Sequence, residues 1–224
     1  LSYVRERNSD GMERLISLGI GYLFGIFQTA YIYGRMNGID IREHGSGNAG
    51  TTNALRVLGK KAGIIVLLGD VAKTVLAVVA VRVLFHRQDA DWLPLLGMYA
   101  AAGAILGHNY PAQLGFKGGK GIACTAGLVL TLGPIVTALE ASTFLLTVLL
   151  TRYVSLGSIF VVIELVAVLA VLGQNGYYGM NQGHLMEFYA ISVLLACMAI
   201  YRHRANIVRL LKGTESKIFQ KKSE

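Results

Sequence analysis

Two cysteines, three prolines and a single tryptophan in 224 residues leave several architectures without material. Cys124 and Cys197 both lie inside apolar segments with no metal-ligand spacing between them, so neither a disulfide framework nor a zinc site is expected. Both read as buried thiols. Charge is scarce too: 15% of residues are Asp, Glu, Lys or Arg against 54% hydrophobic, and the mean hydropathy is +0.52. Soluble domains are about 45–50% apolar even with glycine counted, so a soluble class is excluded. The charge there is leans positive, to a net +8, which admits nucleic acid, anionic lipid or an anionic substrate as partner. The lysines and arginines fall in the links between apolar runs. That placement sets nucleic acid aside and keeps lipid and anionic substrate.

The chain reads as an all-α, polytopic integral membrane protein. Apolar runs cover Leu15 to Tyr33, Ala62 to Phe85, Leu93 to Leu106, Ile122 to Leu150, Gly157 to Leu172 and Leu185 to Tyr201. The first ends in no small-residue cleavage site, so no signal peptide is expected. Residues 1–11 are polar without a periodic apolar face and are expected to form a tail ahead of Met12, a candidate start. Residues 12–215 would be one transmembrane domain and 216–224 a basic cytoplasmic tail. Gly133-Pro134 leaves the long run 122–150 readable as one tilted helix or two shorter ones. Charge asymmetry decides: links 35–61 and 107–121 and the C-terminal region are basic and should all be cytoplasmic. An even number of crossings must then separate link 107–121 from the C-terminus. The reading is seven transmembrane helices, N-terminus outside and C-terminus cytoplasmic.

Two of the cytoplasmic links have a composition that lipid-facing helix cannot carry. The first, Arg42 to Gly59, includes Gly45-Ser-Gly-Asn-Ala-Gly-Thr-Thr-Asn-Ala-Leu-Arg56. Its glycines permit φ > 0 and close backbone approach, so its N–H groups are expected to converge on an anion, with Arg56 as a positive fork nearby. Gly45-x-Gly47-x-x-Gly50 matches the dinucleotide fingerprint only formally, because no strand or βαβ unit surrounds it. The second link, His108 to Gly121, ends in Phe-Lys117-Gly118-Gly119-Lys120-Gly121, where glycine amides and two lysines suit a phosphate. It is no Walker loop, since Gly121 stands where a magnesium-holding Ser or Thr would be. Parity carries Arg152-Tyr-Val-Ser155 to the same face. Asp70 and Lys73, three apart on one helix face near mid-membrane, can pair, with function and structure both open. His203 and Asn206 share a helix face if the last span continues inward.

These residues carry a resemblance. Gly45 to Arg56, His108 to Gly121 and His203-Arg-Ala-Asn-Ile-Val-Arg-Leu-Leu-Lys-Gly-Thr-Glu215 resemble the three signature motifs of the bacterial acyl-phosphate:glycerol-3-phosphate acyltransferases, the PlsY family. The likeness runs from Leu15 to Glu215 in the same order. It implies a seven-span enzyme of the bacterial inner membrane that moves a fatty acyl group from acyl phosphate to the 1-hydroxyl of glycerol 3-phosphate at the cytoplasmic leaflet. It implies no cofactor and no metal, and the cytoplasmic face holds no carboxylate cluster suited to magnesium. The substrates and membrane lipid are the expected partners, and a monomer the expected working state.

By the same resemblance the second motif, Lys117 to Gly121, is the glycerol-phosphate site, while Ser46, Asn48, Thr51 and Arg56 serve the acyl phosphate and the reacting centre. His203 would take the hydroxyl proton with Asn206 orienting it, and a substrate phosphate oxygen is an equal candidate for the base. Ser155 could reach a phosphate. Bland readings stand beside these: Ser46 as a turn residue, Lys117 and Lys120 as inside-positive markers, His108 as an interfacial hydrogen-bonding residue, Glu215 as a partner for a cation. Thr74 stands where the family commonly has glycine. A transporter of an organic phosphate is the alternative from another class, though no internal repeat supports it.

Overall fold

The computed structural model describes residues 2–218, so Leu1 and the last six residues of the expected basic tail lie outside it. Among the described residues every regular element is helical. α1 (Ser2–Gly25) and the short α2 (Thr29–Met36) precede the long α3 (Thr51–Leu84). α4 (Leu93–Asn109), α5 (Ile122–Thr131), α6 (Pro134–Thr151), α7 (Val154–Gln174), α8 (Gln182–Arg202) and α9 (Arg204–Leu211) follow. Single 3-10 turns lie at Ile41–Glu43 and Ala112–Leu114. Five stretches of the described residues are long and apolar enough to cross a membrane: Asp10–Met36, Thr51–Leu84, Pro134–Thr151, Val154–Gln174 and Gln182–Arg202. α4 and α5 are apolar but shorter, at 17 and 10 residues.

α4 is the centre of the bundle. Its sequence, Leu-Pro-Leu-Leu-Gly-Met-Tyr-Ala-Ala-Ala-Gly-Ala-Ile-Leu-Gly-His-Asn, is apolar on every side until its last turn, the pattern of a helix enclosed by others. α1, α3, α5 and α8 all pack on it. α1 comes closest because both helices carry glycine at the crossing. A Cβ on Gly21 would lie 1.9 Å from the Ala100 carbonyl oxygen, and one on Gly103 would lie 2.1 Å from that of Leu18. With no hydrophobic drive between helices in lipid, such close backbone contact is a main source of association. The interior cluster continues through Val78, Leu128, Leu169 and Phe188 of α3, α5, α7 and α8.

Several helix boundaries depart from the hydropathy reading. Residues 2–11, expected as a tail, continue α1 as regular turns, since extending an existing helix avoids the cost of nucleating one. The first apolar run breaks at 26–28, where the Gln28 amide reaches the carbonyls of Gly25, Gly107 and His108 at 3.1, 3.3 and 3.2 Å. α3 kinks at Gly59, whose φ of +86° suits glycine. The run 122–150 is two helices, with Gly133 at φ +113° and Pro134 opening α6. Cys124 is buried as expected, whereas Cys197 is exposed, because the helical period turns it away from the face that buries Ala196 and Ala199. The chain past Glu215 folds back, and the Ile218 amide donates to the Arg152 carbonyl at 2.8 Å.

Candidate active site

The first glycine-rich link is built around Asn53, which is 1% exposed at the start of α3. Its Nδ2 donates to the carbonyls of Ile41 and His44 at 3.1 and 2.9 Å, and its Oδ1 accepts from the Ser46 amide at 2.8 Å. Gly45 and Gly47 take φ of +62° and +69° to close this turn, while Gly50 is simply extended at −146°. Three amides of the link are bonded within it: Ser46 N–H to Asn53 Oδ1, Gly47 N–H to the His44 carbonyl and Gly50 N–H to the Asn48 carbonyl. Asp40 anchors the link by holding Arg42, whose hydrogen bonds keep that carboxylate down at about 2. Arg42 also donates to the Leu114 carbonyl at 3.3 Å and so joins the first link to the second.

The second link is clamped on both sides. Gly118 and Gly119 N–H donate to the carbonyls of Asn109 and His108 at 3.3 and 3.0 Å, and their own carbonyls accept from Arg202 at 2.9 and 2.6 Å. Both amides are thus bonded to the end of α4. Glycine is required for space: a Cβ on Gly118 would lie 2.0 Å from the His108 carbonyl oxygen, and one on Gly119 2.1 Å from His108 Nε2. Gly119 also abuts the Ala49 carbonyl, which brings the two links into contact. Lys117 is exposed and its side chain makes no bond among the described residues. Lys120 turns inward, and its ammonium donates to Asn206 Oδ1. The Lys120 and Gly121 amides have no backbone acceptor among the described residues.

The C-terminal motif closes the cluster. Glu215, with 8% of its side chain exposed, accepts from Ser155 Oγ at 2.8 Å, Asn206 Nδ2 at 2.6 Å and Arg209 Nε at 2.6 Å. Burial pushes its carboxyl up, but the three donors outweigh that and hold it below the usual range. Burial lowers Lys120 to about 8; Glu215 opposes this, and the charges of Arg209, Arg202 and Arg56 add to it. His203 sits at the joint between α8 and α9 and is 3% exposed. Its Nδ1–H donates to the Ala199 carbonyl at 2.8 Å, leaving Nε2 as the basic nitrogen, and burial with the Lys120 charge lowers it to about 4. A neutral imidazole with a free lone pair thus stands beside an ammonium.

A model of the glycerol-3-phosphate acyltransferase family matches residues 15–213. A glycerol-3-phosphate acyltransferase of Clostridioides difficile (strain 630) is 44% identical over 204 residues, covering 91% of this chain and 94% of that one. One from Halalkalibacterium halodurans is 42% identical over 205 residues, covering 90% and 93%. The chain belongs to the glycerol-3-phosphate acyltransferase family. Its fold is similar to the crystal structure of PlsY, an integral membrane glycerol 3-phosphate acyltransferase, in the glycerol 3-phosphate form. The TM-score is 0.78 at 32% identity, over 92% of this chain and 99% of that one. The lysophosphatidic acid form of PlsY matches with a TM-score of 0.76 at the same identity.

Of the residues expected in the acyltransferase site, Lys120, Ser155, His203, Asn206 and Glu215 meet, with Arg56 close enough for its charge to act on Lys120. Ser46 is exposed, Asn48 lies against Gly50, and Thr51 Oγ1 is buried without a partner at the start of α3. Asp70, Lys73 and His108 lie beneath the second link: Lys73 Nζ is 2.9 Å from Asp70 Oδ1 and 2.9 Å from His108 Nδ1. Asp70 and His108, with Cys124, are spaced as metal ligands could be, but the ammonium already places a positive charge between them. Sequence reasoning missed Asn53, Arg202 and Gln28. Arg202 belongs to the basic C-terminal region, where nothing in the sequence sets it apart from an inside-positive charge, and Gln28 is one of a few polar residues in the first apolar run. One prediction follows from the close packing at Gly119. Gly119→Ala should destabilise the substrate-free protein by about 2 kcal/mol, the usual scale of overpacking, as read by thermal denaturation in detergent. Gly19→Ala, inside α1 with nothing within 4 Å, should not lower the melting temperature and should raise it slightly. A melting temperature unmoved by Gly119→Ala would show that the link has room for a Cβ there and that close packing is not what requires glycine.

Proposed function

We propose that this acyltransferase moves a fatty acyl group from acyl phosphate to the 1-hydroxyl of sn-glycerol 3-phosphate, giving 1-acylglycerol 3-phosphate (lysophosphatidic acid) and phosphate. The observation that carries this reading is the juxtaposition of a neutral, buried imidazole with a cationic cluster. An acyl phosphate is a mixed anhydride and already activated, so the protein need not form a covalent intermediate. It must hold two phosphate groups and align a hydroxyl with a carbonyl carbon. Lys120, Arg56 and Arg209 supply charge for those phosphates, the second Nδ2 hydrogen of Asn206 supplies a neutral donor, and Ser155 holds Glu215 in place among the cations. As the hydroxyl oxygen bonds to the carbonyl carbon, its proton passes to His203 Nε2 or to a phosphate oxygen. The carbon–oxygen bond to phosphate then breaks and the leaving phosphate departs against the cations.

In this reading α1 and α3 to α8 all cross the bilayer, seven spans, with the N-terminus outside. Four crossings, α5 to α8, then separate Lys120 from His203, which agrees with their meeting on one side. The active site faces the cytoplasmic leaflet of the bacterial cell membrane.

Purified protein given palmitoyl phosphate and glycerol 3-phosphate should release phosphate and lysophosphatidic acid in equal amounts. Activity with acyl-CoA or acyl carrier protein but not acyl phosphate would overturn the donor. The second test is a pH profile. Lys120 in the free enzyme is protonated below about 8 and neutral above it, so kcat/KM for glycerol 3-phosphate should fall as pH rises through that value. Lys120→Arg should move the fall to higher pH, and a limb that stays in place would remove Lys120 from the site. The third test is topology. Ala90→Cys should react with an impermeant maleimide in spheroplasts and Ser216→Cys only after permeabilisation; the reverse pattern would invert the orientation.

A further inference from the structure

Beneath the second glycine-rich link, three charged or titratable side chains meet in a cluster that the proposed chemistry does not use, with Asp70 Oδ1 itself 3.7 Å from His108 Nδ1. Lys73 Nζ meets three acceptors: Asp70 Oδ1 at 2.9 Å, the Phe27 carbonyl at 2.8 Å and His108 Nδ1 at 2.9 Å. Thr29 Oγ1 adds a hydrogen bond to Asp70 Oδ1 at 3.1 Å. All three side chains are buried. An ammonium beside a carboxylate has three hydrogens to give and no lone pair, so its contact with His108 fixes Nδ1 as the acceptor. The proton of the neutral ring is then on Nε2, the atom packed against Gly119. Nε2 has no partner among the described residues. The His108 carbonyl meanwhile receives the Gly119 amide at 3.0 Å and the Gln28 side chain at 3.2 Å. Both ends of His108 therefore bear on the residue before Lys120.

We infer that Asp70, Lys73 and His108 form a buried positioning chain for the phosphate loop. Asp70 holds the Lys73 ammonium, Lys73 sets the tautomer and plane of the His108 ring, and His108 sets the height of Gly118-Gly119. The loop's other face is fixed by Arg202, so the height of that segment determines whether the Lys120 ammonium reaches Asn206. This rests on the reading of Lys120 as a phosphate-binding residue. The Phe27 contact gives the break between α1 and α2 a use, since a carbonyl outside regular helix takes the third ammonium hydrogen there. A merely structural ion pair would hold α3 in place and leave both the ring tautomer and substrate affinity indifferent to it.

The test begins with the unaltered protein. In its 15N-histidine NMR spectrum in detergent, the signals that vanish in His108→Gln should be those of a neutral ring with bare Nδ1 and protonated Nε2. A doubly protonated ring, or the opposite tautomer, overturns the chain without any question of misfolding. Removing both charges together, Asp70→Asn with Lys73→Met, leaves no orphaned buried ion. In that double variant His108 should become a mixture of tautomers, and KM for glycerol 3-phosphate should rise about tenfold while kcat falls much less. Lys120→Met, tested in parallel, separates the two ideas. A raised KM in Lys120→Met with an unmoved KM in the double variant overturns the chain alone. An unmoved KM in Lys120→Met overturns the phosphate-loop reading, and with it the purpose assigned to the chain.

Discussion

One carboxylate makes the cationic face possible. Lys120, Arg202, Arg209 and Arg56 converge on a partly buried space, where like charges repel far more strongly than in open water. Glu215 sits among them and is held by three donors from two different helices. It ties Ser155 at the start of α7 to Asn206 and Arg209 on α9, and through Asn206 it reaches Lys120 in the link before α5. With Arg56 and Arg202 also near, the cluster keeps a net positive balance after Glu215 is counted. That surplus is what a doubly charged phosphate would answer.

The second constraint is that hydrocarbon satisfies no backbone polar group, so each interruption of a helix must find its partners within the protein. The interruptions here are spent on the site. The gap between α1 and α2 releases the Phe27 carbonyl to Lys73 and lets Gln28 bind three others. The kink at Gly59 separates the short segment that carries Arg56 from the long apolar part of α3. The joint at His203 turns α8 into α9 and aims Asn206 and Arg209 back at the link before α5. Regular helices make the scaffold, and their breaks carry the polar residues of the candidate site.

That division explains what the sequence could and could not disclose. Hydropathy located the main helices, and charge parity chose two helices over one across Gly133-Pro134. The resemblance singled out Lys120, Ser155, His203 and Asn206, and Glu215 reads as a partner for a cation, which its bond to Arg209 matches. Composition could not say where amides point. Gly118 and Gly119 look like an anion nest on paper, yet their N–H groups meet the carbonyls of His108 and Asn109, and that depends on how the end of α4 lies under the link. Nor could it separate Lys117 from Lys120, three residues apart in one motif, of which one faces out and the other in. Arg202 was hidden for a related reason: at the end of a span, an arginine that grips two carbonyls and one that merely marks the inner leaflet have the same sequence signature.

α5 links these points to the reaction's setting. Its 10 residues rise only about 15 Å, half of a hydrocarbon core about 30 Å thick. Under the seven-span reading, at least one end of α5 must therefore lie below the surface reached by the longer helices around it. The burial of His203 and Asn206 and the partial burial of Lys120 favour the end that bears Lys120 and Gly121. A recessed floor suits the proposed substrates, since the acyl carbonyl of a lipid-like donor sits beneath its headgroup and glycerol phosphate must descend from water to meet it. It also accounts for the lowered affinity of Lys120 and His203 for protons, because the depth that brings the carbonyl within reach also removes the water that would have stabilised their charged forms.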